Sequence, residues 1–267
     1  MTQSIAPERE AELLDLGREL HEAGRSRRAI PPISSGRPWL GPAEAYRIQQ
    51  EVVRRRIADG ETIVGWKIGL TSEAMRRQLG VDEPDYGPIL SGYIVPPGAP
   101  IAVSELIQPR IESEIAFVLR SPLRGPGVTA ADVLAATEGV AASLEIIDSR
   151  IEAWKLTLPD TIADLASSAR VAWSGQPVAV DGLDLRAIKV VLERRGEVVG
   201  EGVGAAVLGD PAAAVAWAAN TLADFGVTME AGHLIMPGAL HASVPAVAGD
   251  VFEARFDDLG SVSARFA

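Results

Sequence analysis

The stretch Arg110-Ile111-Glu112-Ser113-Glu114-Ile115-Ala116-Phe117 carries two glutamates two residues apart in apolar surroundings. In a strand, alternate side chains share a face. Ile111, Ser113, Ile115 and Phe117 then fall on one side, and Glu112 and Glu114 on the other. Neighbouring carboxylates repel, and each loses hydration on burial. A divalent cation relieves both costs. Glu145 is the candidate third ligand, because it is a charge inside the otherwise apolar run Ala142-Ser143-Leu144-Glu145-Ile146-Ile147. Asp148 is the fallback, although it falls on the opposite strand face. Oxygen donors without thiolates point to Mg²⁺, with Mn²⁺ next. The same E-x-E pattern also fits the solvated face of an edge strand, and pattern alone does not choose.

Lys67 is one of only three lysines and lies in Val64-Gly65-Trp66-Lys67-Ile68-Gly69-Leu70. A lysine there is an acid/base group with a lowered pKa, a partner for a carboxylate, or a snorkelling surface residue. Asp82, Glu83 and Asp85 follow in Val81-Asp82-Glu83-Pro84-Asp85-Tyr86-Gly87, which reads as a loop. They fit acid/base work or an ordinary acidic turn. Asp160, Asp164, Ser167 and Ser168 offer polar contacts or helix caps. His233 and His241 flank Met236-Pro237-Gly238, where each either lines a pocket or is a satisfied structural histidine.

Other classes are excluded. The chain of 267 residues has no cysteine, which removes disulfides, zinc–thiolate sites and thiol nucleophiles. A net charge of −11 disfavours binding to nucleic-acid phosphates. Gly200, Gly202 and Gly204 do not make the G-x-G-x-x-G spacing of a dinucleotide site, and there is no nucleophile elbow or Walker loop. The opening MTQSIAPEREAELLDLG has no apolar core, so no secretory signal is expected, and the expected compartment is the cytoplasm. The stretch from Ala231 to Gly249 lacks Asp, Glu, Lys and Arg, but Pro237 and Pro245 interrupt it, so it does not read as a membrane span.

The elements that must position these residues follow from periodicity. Leu13, Leu16 and Leu20 make a helical stripe over residues 8–23, weakened by Gly17. A second helix starts at Pro42 and can end at Gly60. Residues 1–60 are thus expected to form a helical lobe, and residues 61–267 a catalytic β-domain. Strands are expected at 63–70, 110–119 and 140–147. Thr129 and Asp132 cap a short helix ending near Gly139. Another short helix is expected at 160–169, and a further one begins at Asp210-Pro211. Hairpins are expected over 188–200 and at the C-terminus around Gly260. Strands outnumber helices without a βαβ rhythm, which predicts an α+β fold on a curved, mostly antiparallel sheet.

Taken together, Gly65 to Ser72, Val81 to Gly87, Pro109 to Leu119, Leu144 to Ile151 and Leu259 to Phe266 resemble a known family. The chain is similar, from about Ala45 to its C-terminus, to the 2-keto-4-pentenoate hydratase and 4-oxalocrotonate decarboxylase family of the fumarylacetoacetate hydrolase superfamily. The resemblance implies a rolled mixed β-structure with peripheral helices. It implies Mg²⁺ or Mn²⁺ on Glu112, Glu114 and Glu145. Lys67 and Asp85 would stand beside a small 2-keto or 2-hydroxy acid, with Ser167 as a hydrogen-bond donor. It also implies a homo-oligomer acting in catabolism of aromatic or related compounds. Pro84-Asp85-Tyr86-Gly87 is more similar to the hydratases, so hydration of a 2-hydroxy-2,4-dienoate is the leading expectation. Ile146 to Arg150 and the C-terminal hairpin resemble decarboxylases equally. Decarboxylation, C–C bond hydrolysis and non-catalytic binding of a small acid are the alternatives. Three positions depart from the family pattern: Leu165 replaces an Asn, His241 a small residue or Thr, and Trp173 a smaller apolar residue. Each is a change able to reshape the pocket.

Overall fold

The computed structural model describes residues 7–72, 76, 81 and 83–267. Two helices open the chain, α1 (Pro7–Ser26) and α2 (Pro42–Ala58). The Leu13, Leu16 and Leu20 stripe of α1 is buried as its spacing predicts. Gly17 has a structural reason. A Cβ there would stand 2.7 Å from Glu51 Cγ of α2, so the glycine lets the two helices cross closely. Pro42 opens α2, and the Glu44 carboxylate accepts from the Gly41 N–H at 3.1 Å.

The strands follow as β1 (Ile63–Gly69), β2 (Asp85–Leu90), β3 (Arg110–Leu119), β4 (Thr137–Ile147) and β5 (Ser168–Trp173). Then come β6 (Lys189–Arg194), β7 (Glu197–Val203), β8 (Leu234–Met236), β9 (Val244–Pro245), β10 (Val251–Phe256) and β11 (Gly260–Arg265). Three more helices intervene: α3 (Ala130–Ala136), α4 (Leu158–Ala163) and α5 (Pro211–Ala223). A seven-stranded sheet runs β2-β1-β8-β3-β4-β5, with β9 also on β3. A four-stranded sheet runs β11-β10-β6-β7. β1 and β8 pair in parallel, and the other named pairs are antiparallel. β10 and β11 pack against β4 and β5. Phe252 and Phe266 meet edge to face there, with ring centroids 5.8 Å apart. This is the expected α+β architecture.

Several boundaries differ from the sequence expectation. Asp85 opens β2 and is not in a loop; Pro88 is tolerated because β2 is an edge strand, where a missing N–H costs no ladder bond. The helix capped by Thr129 and Asp132 stops at Ala136, and Gly139 lies inside β4. The helix expected at 160–169 is α4, shorter and earlier, because Thr157 and Asp160 form a capping box at its start. It ends where Leu165, Ala166 and Ser167 turn left-handed, with φ of 58, 49 and 56°. Among the described residues, no helix is long and apolar enough to cross a membrane.

Candidate metal and substrate site

The antiparallel register of β3 and β4 sets Glu112 directly opposite Glu145. Directly opposed residues project to the same face, and Glu114 joins them from two positions along β3. One carboxylate oxygen from each of the three lies within 4.8 Å of the others. Glu114 and Glu145 are buried and Glu112 is half-buried. Asp148, the fallback, is committed elsewhere: its carboxylate accepts from the Ile107 N–H at 2.9 Å and the Gln108 N–H at 2.6 Å.

The electrostatics of the three carboxylates are those of a site awaiting positive charge. Burial, then the neighbouring Glu145, pushes Glu112 up to about 7. Burial and Glu145 likewise hold Glu114 well above the ordinary carboxylate range. Glu114 Oε2 accepts from the Gly238 N–H at 2.8 Å. Among the described residues, neither oxygen of buried Glu145 accepts a hydrogen bond. Buried carboxylate oxygens normally have donors, and orphaned ones are costly. An all-oxygen cluster with orphaned lone pairs fits a hard divalent cation.

Lys67 projects from β1 toward the same centre. Its Nζ lies 3.4 Å from Glu145 Oε2 and donates to the Ala166 carbonyl at 3.0 Å. Burial pulls its pKa down, but Glu145, Asp85, Glu112 and Glu114 outweigh that and raise it. The lowered pKa entertained from sequence is therefore corrected: Lys67 is an ammonium held among carboxylates. Asp85 is buried opposite Gly69 in the β1–β2 ladder. Burial raises its pKa, partly offset by Lys67 and by the Thr161 hydroxyl, which donates to Oδ2 at 2.9 Å. A Cβ on Gly69 would lie 2.1 Å from Asp85 Oδ1, so this glycine makes room for the carboxylate.

The left-handed turn at 165–167 aims the Ala166 carbonyl at Lys67. Such backbone costs roughly 1 kcal/mol or more per non-glycine residue and needs support. Asp164 supplies it: its carboxylate accepts from Ser167 Oγ at 3.0 Å and Ser149 Oγ at 2.9 Å, and pairs with Arg150 Nε. Ser167 borders a cavity of about 500 Å³ that Lys67, Asp85 and Glu112 also line. Asp160, by contrast, caps α4 and binds Ser34 N at 2.9 Å, fastening the N-terminal loop. Asp82 lies outside the described residues, and Glu83 is exposed.

A family profile described as Fumarylacetoacetate (FAA) hydrolase C-terminal matches residues 81–267. The chain is 45% identical over 255 residues to 4-oxalocrotonate decarboxylase of Pseudomonas sp. (strain CF600), covering 96% of this chain and 97% of that one. The chain belongs to the fumarylacetoacetate hydrolase family. It is also 43% identical over 252 residues to 2-hydroxyhexa-2,4-dienoate hydratase of Comamonas testosteroni, covering 94% and 96% of the two chains. The solved structure of 4-oxalocrotonate decarboxylase from Pseudomonas putida G7, complexed with magnesium and adipate, matches with a TM-score of 0.94. That match has 41% identity and covers 100% of both chains.

Within this fumarylacetoacetate hydrolase family member, the three departures noted in the sequence separate. His241 lines the cavity; its ring bonds Ser113 Oγ and the Ala242 carbonyl, each at 2.8 Å, and burial lowers its pKa. Leu165 is buried in the core beside the cavity-lining turn. Trp173 is a correction: it borders a separate recess of about 170 Å³, because β5 is the far edge strand of the sheet and Trp173 stands two positions beyond Val171, the residue opposite Glu145. His233 accepts from the Glu230 N–H at 3.1 Å and does not border the cavity. Arg110, Trp154 and Thr161 line the cavity and were not singled out in the sequence. Arg110 shares strand parity with Glu112, a signal that was available. Thr161 and Trp154 reach the site only through tertiary packing.

Proposed function

We propose that this protein is a divalent-metal-dependent hydratase. It adds water to a 2-hydroxy-2,4-dienoate to give a 4-hydroxy-2-keto acid. The observation that carries the reading is the close carboxylate cluster, which reaches through Glu112 into a cavity that Lys67 and Asp85 also line. The kinship with a 2-hydroxyhexa-2,4-dienoate hydratase supplies the substrate class. Glu112, Glu114 and Glu145 would hold Mg²⁺ or Mn²⁺, which supplies Lewis acidity toward the acid's 2-oxygen.

The chain's own groups move protons. In ketonisation, the 2-hydroxyl loses a proton and C5 gains one, leaving the C3–C4 double bond conjugated with the keto group. Water then adds at C4, and C3 takes a proton. Asp85, a buried carboxylate with raised basicity, accepts and returns protons. Lys67 is the cationic donor of the pair. Ser167 Oγ donates to Asp164 in the free protein and turns to donate to the substrate.

A second reading, decarboxylation of a 4-oxalocrotonate-type acid, is favoured by the 45% identical relative. There the 2-keto group accepts the electron pair left by departing CO₂. One assay separates the two: 2-hydroxypenta-2,4-dienoate and 4-oxalocrotonate are each offered with Mg²⁺. Loss of ultraviolet absorbance without CO₂ supports hydration, and CO₂ release supports decarboxylation. Full turnover by EDTA-stripped protein, or tight Mg²⁺ binding by Glu112→Gln, would remove the metal role. The cytoplasm as compartment, a homo-oligomeric assembly and a helical lobe of residues 1–60 on a catalytic domain of 61–267 belong to the same proposal. Light scattering and limited proteolysis test the last two.

A further inference from the structure

We infer that Arg110 is the carboxylate-binding residue of the cavity, presented by Trp154 and Ser243. The inference rests on the reading of this cavity as a site for a small unsaturated acid, and it names the group that orients that acid.

Arg110, Glu112 and Glu114 occupy alternate positions of β3 and so share one face. Arg110 lines the cavity with Glu112, at the end of β3 that enters it. Its guanidinium lies over the Trp154 ring, 4.9 Å from the centroid. Trp154 is itself fixed. Its Nε1 donates to the Gln108 carbonyl at 3.2 Å, and its backbone is left-handed, as is that of Ala153 before it, with φ of 56 and 54°. Strained backbone at two consecutive non-glycine residues marks a ring held in place by its surroundings.

Arg110 is short of partners. Its one side-chain hydrogen bond among the described residues is a long contact to Ser243 Oγ at 3.4 Å. Among the described residues, no carboxylate forms an ion pair with it. The neighbouring cations are committed: Lys67 to Glu145, Arg150 to Asp164 and Arg170 to Glu105. A guanidinium has five donors, and stacking on a ring occupies a face and leaves the donor edge free. An anionic substrate entering this cavity meets Asp85 and Glu112, with Glu114 and Glu145 clustered behind Glu112. Arg110 is the lining cation left to offset its charge, and its planar fork matches a carboxylate in two parallel hydrogen bonds.

The test uses Arg110→Met and Arg110→Lys in the Mg²⁺-loaded full chain, with binding read by calorimetry. The probes are 2-oxobutanoate with one carboxylate, 2-oxohexanedioate with two, and neutral 2-oxobutanamide with none. Arg110→Met should weaken acid binding by about tenfold or more, the loss of its charge-assisted hydrogen bonds to the carboxylate. Arg110→Lys should recover part of it, and amide binding should not change. Equal losses for both acids assign Arg110 to the carboxylate beside the 2-oxo group. A loss confined to the di-acid assigns it to a distal carboxylate. Unchanged binding of both acids, or an equal loss for the amide, overturns the inference. Mg²⁺ titration without any acid shows whether the metal site survives each substitution. Turnover of the dienoate is scored separately, so a failed hydratase reading leaves the Arg110 result standing.

Discussion

Mg²⁺ binding to this protein should drive protons off it, and the amount follows from the glutamate cluster. In the metal-free protein Glu112 sits at about 7, raised by burial first and by Glu145 second. Glu114 is also raised well above its ordinary value. A carboxylate ligates only when ionised, so the metal competes with these protons. Between pH 8 and pH 6 a group titrating at about 7 passes from about one-tenth to about nine-tenths protonated. That weakens apparent Mg²⁺ affinity about tenfold, and a second displaced proton from Glu114, also raised by burial and Glu145, steepens the dependence further. For stability the sign is set by raised folded-state values. Without metal, the fold loses stability as pH rises from the unfolded carboxylate value toward about 7, because the buried groups are then forced to ionise. With metal, the ionised form is the bound form, so the gain in Tm on adding Mg²⁺ should widen from pH 6 to pH 8. Calorimetry in two buffers of different ionisation enthalpy counts the protons, and thermal melts follow the Tm gap. Affinity independent of pH, with no proton release, would refute the linkage and with it the carboxylate site.

Three substitutions probe the surrounding machinery. Lys67→Met should lower kcat by about 10²–10⁴, the range for a lost acid/base group, and normal kcat would remove Lys67 from the chemistry. Gly69→Ala places a Cβ 2.1 Å from Asp85 Oδ1, so it should displace that carboxylate and cost about a hundredfold in kcat/KM while Mg²⁺ affinity stays within a few fold. Unchanged kinetics would mean that the position of Asp85 is unimportant. Ala166→Gly relieves a left-handed alanine at φ 49° and should raise the urea midpoint by up to about 1 kcal/mol of stability. It should also lower kcat, because the carbonyl that holds Lys67 becomes less rigid; a drop in stability would show that the turn is not strained.

Much of the site was legible because its signals are local. The parity of Glu112 and Glu114 depends only on strand geometry, and burial of their strand is implied by Ile111, Ile115 and Phe117. Glu145 stood out as a charge within an apolar run, and the structure leaves its oxygens without hydrogen-bond donors. Asp148 was set behind it on parity, and its carboxylate accepts from the Ile107 and Gln108 N–H groups. The capping boxes at Thr129 and Thr157 also obey local rules, and only the helix ends following them were misjudged. The loop expected over Val81–Gly87 gives way to strand from Asp85 onward, since nothing in a Pro- and Gly-containing stretch tells whether a neighbouring strand will pair with it.

What the residues settled alone was chemical type: oxygen ligands without thiolates, a buried-looking lysine, an acidic protein built on antiparallel strands. Tertiary structure decided which groups meet. The β3–β4 register, a contact between segments some thirty residues apart, makes Glu145 and not Asp148 the opposite number of Glu112. The crossing of β1 beside β8 carries Lys67 to Glu145, and the left-handed turn after α4 brings the carbonyl that holds it. The same packing places Trp173 outside the cavity and Trp154 inside it. Periodicity is a property of neighbours along the chain, whereas register and packing arise from burial shared between distant segments, so only the folded molecule determines them.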